Sequence, residues 1–468
     1  MTRSRRSVMP TRALWIALGV VFCSAIWVQA QPAPTPPTPV PPTLPELVTP
    51  PLPAGTTSQV PTAKPLTLKE AIALALREQP QVMLATGNLE AAAGSFRTAR
   101  SGLLPSFSVT GSAAHSGPSG GGPGAVGRIS STRNSVTTDL AGQQLIYDFG
   151  RTPAAVAASR AQEDSARQNL AQTRQDVVNQ VKQSYYTLLQ NQRLVEVQRR
   201  NLTDQQAHLD LAKARLDAGT APHSDVVRAE TSVADAVFNL ATAQNTAAVS
   251  RVALNQAMGV DLRSPTAVEE TEEPLPALPE PAVLVEQAMA HRPVVAQARD
   301  SLSAAREALR AARTGNTPAL VASGSYEFSG SSFPPTNKSW AYGVSLQWDI
   351  FDSGSTSGRV ETARGNLLSA EASLKQTEQT VASDVIQSYL DLQTAEQKVT
   401  AARSEVANAE EGVRLAAGRY QAGVAAYIEV TDAETALVTA STNQVNALYG
   451  LSVARAALRR ALGMGEGE

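Results

Sequence analysis

Apolar residues recur at every seventh position through two long stretches of this chain. Val181, Leu188, Val195, Leu202, Leu209 and Leu216 form the first run, and Val385, Leu392, Val399, Val406, Val413 and Tyr420 the second. A strict seven-residue repeat keeps one seam of a helix against its neighbours and imposes a left-handed supercoil. Helices are predicted over about 152–218 and 355–422, each opened by Gly and polar residues and closed near Gly219 and Gly423. At about 1.5 Å per residue, a helix of roughly 65 residues spans about 100 Å, far more than a globular core needs. Past each turn the repeat resumes, with Val226, Val233, Leu240, Ala247 and Leu254, and with Val430, Leu437, Gln444, Leu451 and Leu458. The spacing therefore predicts two antiparallel coiled-coil hairpins, over about 152–258 and 355–463.

The hairpins belong to an internal duplication, residues 66–259 and 282–463. Gln79-Pro80 answers Arg292-Pro293, Pro105 answers Pro318, Tyr147-Asp-Phe-Gly150 answers Phe351-Asp-Ser-Gly354, and Ser184-Tyr185 answers Ser388-Tyr389. Each copy reads helix, strand, strand, very long helix, turn, helix. The first helix is expected as one piece over Leu66–Gly102. The loop between the strands is the longer one in the first copy, Ala114 to Ser135, and the shorter one in the second, Ser329 to Ser339.

The strands are expected at about 105–114, 135–147, 319–328 and 340–351. In the last, Trp340, Tyr342, Val344, Leu346, Trp348 and Ile350 alternate with residues that are mostly small or polar, the period of a strand with one apolar face. Val136, Thr138, Leu140, Gly142, Gln144 and Ile146 occupy that face in the second strand; Phe107, Val109, Gly111 and Ala113 match Leu320, Ala322, Gly324 and Tyr326 in the other two. Asp139, Glu327 and Asp349 all fall on the opposite side. Four faces without charge predict a lipid side and a wet side, with Phe107, Tyr326, Trp340, Tyr342 and Trp348 as the lipid-facing aromatics.

Composition narrows the setting. Residues 1–30 read as a secretory signal: Arg3, Arg5, Arg6 and Arg12 precede an apolar run to Val28, with small residues at Val28-Gln-Ala30. The only cysteine, Cys23, lies inside it, so thiolate or disulfide chemistry is not expected of the mature chain. Residues 31–65 are rich in Pro, Thr and Ala and read as an extended linker. Residues 260–281 form an acidic, Pro-rich linker between the copies, carrying Glu269, Glu270, Glu272 and Glu273, either a belt on the helices or a solvated connection. Residues 464–468 are a short tail. A formal charge of −2, with acids and bases interspersed, excludes a basic nucleic-acid footprint.

Four strands cannot close a membrane barrel, since about eight leave an interior only wide enough for side chains. An open sheet in lipid leaves edge groups unpaired at several kcal/mol each. Strands of several chains must combine, and the same association stands the hairpins side by side as a tube.

The duplicated plan, the signal segment and the tip sequences Arg215-Leu216-Asp-Ala-Gly219 and Arg419-Tyr420-Gln-Ala-Gly423, followed by Asp225-Val226 and Glu429-Val430, resemble the TolC family of outer-membrane efflux proteins. The resemblance covers about residues 66–463. It implies a fold that is mainly α with a membrane β-barrel part: a homotrimer with a shared twelve-stranded barrel in outer-membrane lipid and a periplasmic α-barrel. It further implies a passive exit duct for a tripartite efflux pump or type I secretion system. In that role the tips, Arg215, Leu216, Gly219, Asp225, Val226, Arg419, Tyr420, Gly423 and Val430, dock onto a periplasmic adaptor that serves an inner-membrane transporter. The family's second tip helix carries acidic residues that narrow the periplasmic mouth, and these match Glu429 and Asp432. An arginine that latches the mouth in one relative, two residues past the tip glycine, is Ala425 here.

The competing reading is a secreted coiled-coil scaffold or adaptor that never enters lipid, and the charge-free strand faces weigh against it. Gly122-Pro-Gly-Ala-Val-Gly127 matches a dinucleotide fingerprint by letter, yet has neither the strand before it nor the helix after it. His115, His208, His223 and His291 lack metal-ligand spacing. No serine, histidine and acid arrangement stands out, so neither enzyme activity nor a cofactor is expected.

Overall fold

The structure, a computed structural model, describes residues 65–117, 133–270 and 279–464. The expected signal segment, the Pro-rich segment up to residue 64, Gly122–Gly127 and residues 465–468 lie outside the described residues. Elements follow in the order α1 (Leu68–Glu78), α2 (Pro80–Ser101), β1 (Ser106–Ser116), β2 (Arg133–Tyr147), α3 (Arg151–Asp217) and α4 (His223–Met258). The second copy supplies α5 (Pro281–His291), α6 (Pro293–Arg313), β3 (Ala319–Gly330), β4 (Asn337–Gln347), α7 (Ser355–Gln421) and α8 (Tyr427–Ala461). The two long helices, α3 and α7, have 67 residues each. No heptad position named above is exposed, which is what a seam against neighbouring helices requires.

The single helix expected over Leu66–Gly102 is instead two. Pro80 has no N–H to continue the helix, and it drives the preceding Gln79 into extended backbone, φ −71° and ψ 121°. Arg292 before Pro293 does the same, φ −71° and ψ 125°. Each break receives the end of a return helix. At Gly259, with φ +73°, a Cβ would lie 2.8 Å from the Glu78 carbonyl oxygen, and at Gly463, with φ +74°, 3.0 Å from the Arg292 nitrogen. Only glycine fits both the left-handed backbone and the close approach. The Gln79 side-chain amide donates to the Ala257 carbonyl at 3.1 Å and fixes the joint. Thus α2 continues along α3 where α4 stops, and α3 is flanked over its whole length. Neighbours run α2, α3, α6, α7 toward the sheet and α4, α3, α8, α7 toward the tips.

Buried clusters sit at the joints. Leu68, Tyr185, Leu188, Leu254 and Met258 centre the first, and Leu284, Val295, Val385, Leu392 and Leu458 the second. The described part of the inter-repeat linker lies on the first of these. Leu66 pairs in parallel with Val268, the Tyr185 hydroxyl donates to the Leu66 carbonyl at 2.9 Å, and Glu270 bonds Arg193 and Tyr449. Up to Glu270 this segment is a belt held to the helices; residues 271–278 lie outside the described residues.

The sheet is antiparallel in the order β1-β2-β3-β4. Its register places Val109, Leu140, Tyr326 and Trp340 in one row and Phe107, Gly142, Gly324 and Tyr342 in the next. Three expectations are corrected. β4 begins at Asn337 and ends at Gln347, so Trp348, Asp349, Ile350 and Phe351 lie beyond it; the Trp348 indole N–H donates to the Asn316 carbonyl at 3.2 Å. A register shift between Leu145 and Tyr147 sets Tyr147, not Ile146, opposite Leu320, because a bulge adds one residue and reverses the alternation. Lys338 falls on the apolar face, opposite Phe328, with its ammonium 5.9 Å from that ring's centre. A cation at a strand end, over an aromatic face, sits at the height where long basic side chains reach out to water.

Candidate functional site

The two hairpin turns are built alike. In each, the glycine takes a left-handed conformation, φ +72° at Gly219 and +76° at Gly423. The Thr220 N–H returns to the Arg215 carbonyl at 2.9 Å, and the Val424 N–H to the Arg419 carbonyl at 3.0 Å. This closing pattern satisfies carbonyls orphaned at the helix end. It explains the repeated Arg-x-x-Ala-Gly: glycine supplies the turn, and arginine stands in the last turn, where the helix end is negative.

The turns are then joined. The Arg215 guanidinium donates to the carbonyls of Tyr420 and Gln421 at 2.9 and 2.8 Å, and lies 4.4 Å from the centre of the Tyr420 ring. Beneath it Ala212, Val226, Ala229, Ala416, Tyr427 and Val430 share one buried cluster with Tyr420, drawn from α3, α4, α7 and α8. Of the residues expected to dock a partner, Val226, Tyr420 and Val430 are therefore buried within the chain, 5%, 5% and 1% exposed. They fix the tip rather than present a surface. Gly219, Arg419 and Gly423 are exposed, and Arg215, Leu216 and Asp225 are half-buried. The Tyr420 hydroxyl is buried without a hydrogen-bond partner. Burial, then the neighbouring Tyr420, Glu434 and Asp225, push the Tyr427 hydroxyl above its usual value.

Glu429 and Asp432 lie at the start of α8. The Glu429 carboxylate pairs with Arg419 at 3.0 Å, and Asp432 is exposed. Sequence reading did not find this pairing, nor the contact of His208 with Glu434 at 3.0 Å between α3 and α8. The first spans the turn of one hairpin and depends on how that turn closes; the second joins helices 226 residues apart, and local spacing carries no signal of it.

At the other end, Phe107, Trp340 and Tyr342 are 75%, 68% and 81% exposed on the apolar face of the sheet, and Tyr326 is 37% exposed. Trp340 and Tyr342 stack at 5.6 Å. The Phe107 ring covers Gly142, where a Cβ would meet it at 2.9 Å. Asp139 and Glu327 face each other in the row on the opposite side. No helix among the described residues is long and apolar enough to cross a membrane. The sheet is the element whose pattern suits lipid.

Residues 71–260 and 284–464, the two copies, match the family described as outer membrane efflux protein. The chain belongs to that family. Among its relatives, protein CyaE of Bordetella pertussis is 27% identical over 411 residues, 86% of this chain and 84% of CyaE. Outer membrane efflux protein BepC of Brucella suis is 24% identical over 335 residues, 71% of this chain and 73% of BepC. The crystal structure of the outer membrane protein VceC from Vibrio cholerae superposes with a TM-score of 0.76 at 22% identity, covering 85% of this chain and 96% of that one. As an outer membrane efflux protein, the chain is a channel of the bacterial outer membrane with its helices in the periplasm, the duct of tripartite efflux pumps. The soluble-scaffold reading finds no support. Members of the family are channels rather than enzymes.

Proposed function

We propose that three copies of this chain close head to tail into one conduit, which serves passively while an inner-membrane transporter and a periplasmic adaptor supply energy and coupling. The observation that carries this is the pair of open flanks. Strands β1 and β4 end the sheet, each with one side unpaired among the described residues. On the helices Leu84, Phe238 and Val249 are 68%, 71% and 60% exposed on α2 and α4, and Leu368, Leu390 and Leu415 are 68%, 53% and 52% exposed on α7. Two different flanks that both need covering form a heterologous contact, which closes when the rotation closes. Three chains give twelve strands, enough to leave a lumen, whereas two would reach only the filled barrel of about eight.

In that assembly the Phe107, Tyr326, Trp340 and Tyr342 row faces outer-membrane lipid and Trp348 lies near its periplasmic boundary. Gly219, Arg419 and Gly423 are the tip positions free to meet an adaptor, over the scaffold of Val226, Tyr420 and Val430. Glu429 and Asp432 line the mouth, where carboxylates around a pore attract cations.

The test is the location and mass of the mature protein. The expected result is an outer-membrane species whose protein mass, with detergent subtracted, is about three chains. A soluble periplasmic monomer overturns the reading.

A further inference from the structure

Glu434 is a buried acid that the duct reading leaves without a task. It is 5% exposed, on α8, and its carboxylate meets the Nε2 of His208 on α3 at 3.0 Å. The His208 side chain is itself only 19% exposed. Each residue lies eleven positions from its own tip glycine, 208 against Gly219 and 434 against Gly423, so the pair sits about 16 Å above the turns. It bridges the two repeats just above the cluster that unites the tips.

Charged or titratable groups near the pair are Asp204 on α3, which feels both members and Arg200, and Tyr427 on α8, which feels Glu434 and is itself near Tyr420 on α7 and Asp225 on α4. Partial burial, then the charge of Glu434, push the Asp204 carboxyl above its ordinary range, against His208 and Arg200. The negative charge of Glu434 is therefore felt across the α3–α8 seam. A buried carboxylate is costly without a partner, and a charged donor serves it better than a neutral one. Histidine changes charge within the physiological range.

We propose that His208 and Glu434 form a proton-operated clamp between the two hairpins: protonation of the imidazole ties α3 to α8 and holds the periplasmic end narrow, and its loss lets the hairpins part. The clamp rests on the duct reading, because it acts on the mouth of that conduit.

The test is conductance of the purified full-length protein in planar bilayers at pH about 7.5 and about 5.5, a window set by histidine. Wild type should lose conductance at the acid pH, the direction of a switch biased by one buried contact. In His208→Gln, which keeps a donor without the charge, and in Glu434→Gln, the ratio between the two pH values should fall to that of a simple conductor. His223 and the mouth carboxylates are present in all three proteins, so the difference between them reports the pair together with the Asp204 carboxyl it acts on. A wild type that conducts with no such ratio, or a ratio retained in either variant, overturns the clamp and leaves the duct standing. A wild type that forms no conducting species at either pH overturns both.

Discussion

Arg419 and Glu429 pair across the second hairpin turn at 3.0 Å, and Asp432, next along the same face of α8, is left to solvent. In the proposed mouth, Arg419, Glu429 and Asp432 together carry a net charge of −1 per chain. The pair is partly exposed, with side chains 59% and 41% open, and such pairs contribute at most about 1 kcal/mol. Its consequence is electrostatic rather than structural.

Asp432→Ala and Glu429→Ala each remove one negative charge and leave Arg419 balanced by the carboxylate that remains, so both are expected to lower the preference for cations over anions by a similar amount, and Arg419→Ala to raise it. Reversal potentials under a potassium chloride gradient in planar bilayers give the order directly. Replacing both acids should also enlarge single-channel conductance. A selectivity unchanged in all three single variants would mean that these groups do not line the conduction path.

A second prediction concerns the turns from strand to long helix. Asp148 accepts the Thr152 N–H at 2.7 Å, and Asp352 accepts the Thr356 N–H at 2.7 Å, each past two successive left-handed residues, Phe149-Gly150 and Ser353-Gly354. These carboxylates satisfy first-turn donors of α3 and α7, which have no other cap. Asp148 is 2% exposed, where a donor left unmet is costly. Asp148→Ala should cost about 1–2 kcal/mol per chain, and Asp148→Asn, which still accepts, clearly less. The order of heat-induced dissociation of the detergent-extracted assembly, alanine first and asparagine after it, is the readout.

The same turns show what was legible in the sequence. The repeated Tyr-Asp-Phe-Gly and Phe-Asp-Ser-Gly marked the duplication, because a local backbone geometry demands local residues. The heptads of α3 and α7 and the alternation of β1 to β4 were legible for the same reason. The bulge beside Leu145 was not, since inserting one residue leaves the apolar composition unchanged while reversing the faces. Lys338 was missed because strand alternation was read from Trp340 onward, and β4 begins three residues earlier, at Asn337. Pro80 and Pro293 were visible as a repeated pair, but the helix was carried across them. At the tip, burial of Tyr420 and the reach of Arg215 to its carbonyl depend on how two hairpins lean together, which no spacing within either one encodes.

The belt supplies the third prediction, in which pH sets the sign. Glu270 bonds Arg193 and accepts from the Tyr449 hydroxyl at 3.1 Å, so it ties the inter-repeat segment to α3 and α8. The Arg193 guanidinium holds its carboxyl below the usual range, against partial burial and with help from Tyr449. An acid depressed in the folded chain contributes stability above its unfolded value, about 4.3 for glutamate, and loses it as the pH falls further. The side chain is 57% exposed, so screening limits the contribution to roughly 0.2–1 kcal/mol. Its effect should be local, confined to residues 266–270 and the Leu66 bridge they make. Hydrogen exchange there, corrected for intrinsic chemistry, should rise between pH about 6 and pH about 3.5 in wild type, the interval that brackets glutamate titration. In Glu270→Gln it should be raised at both values, because the charge that Arg193 recognises is missing throughout. Protection in the variant equal to wild type at pH about 6 would mean that the Leu66–Val268 bridge and Tyr185 hold the belt without the ion pair.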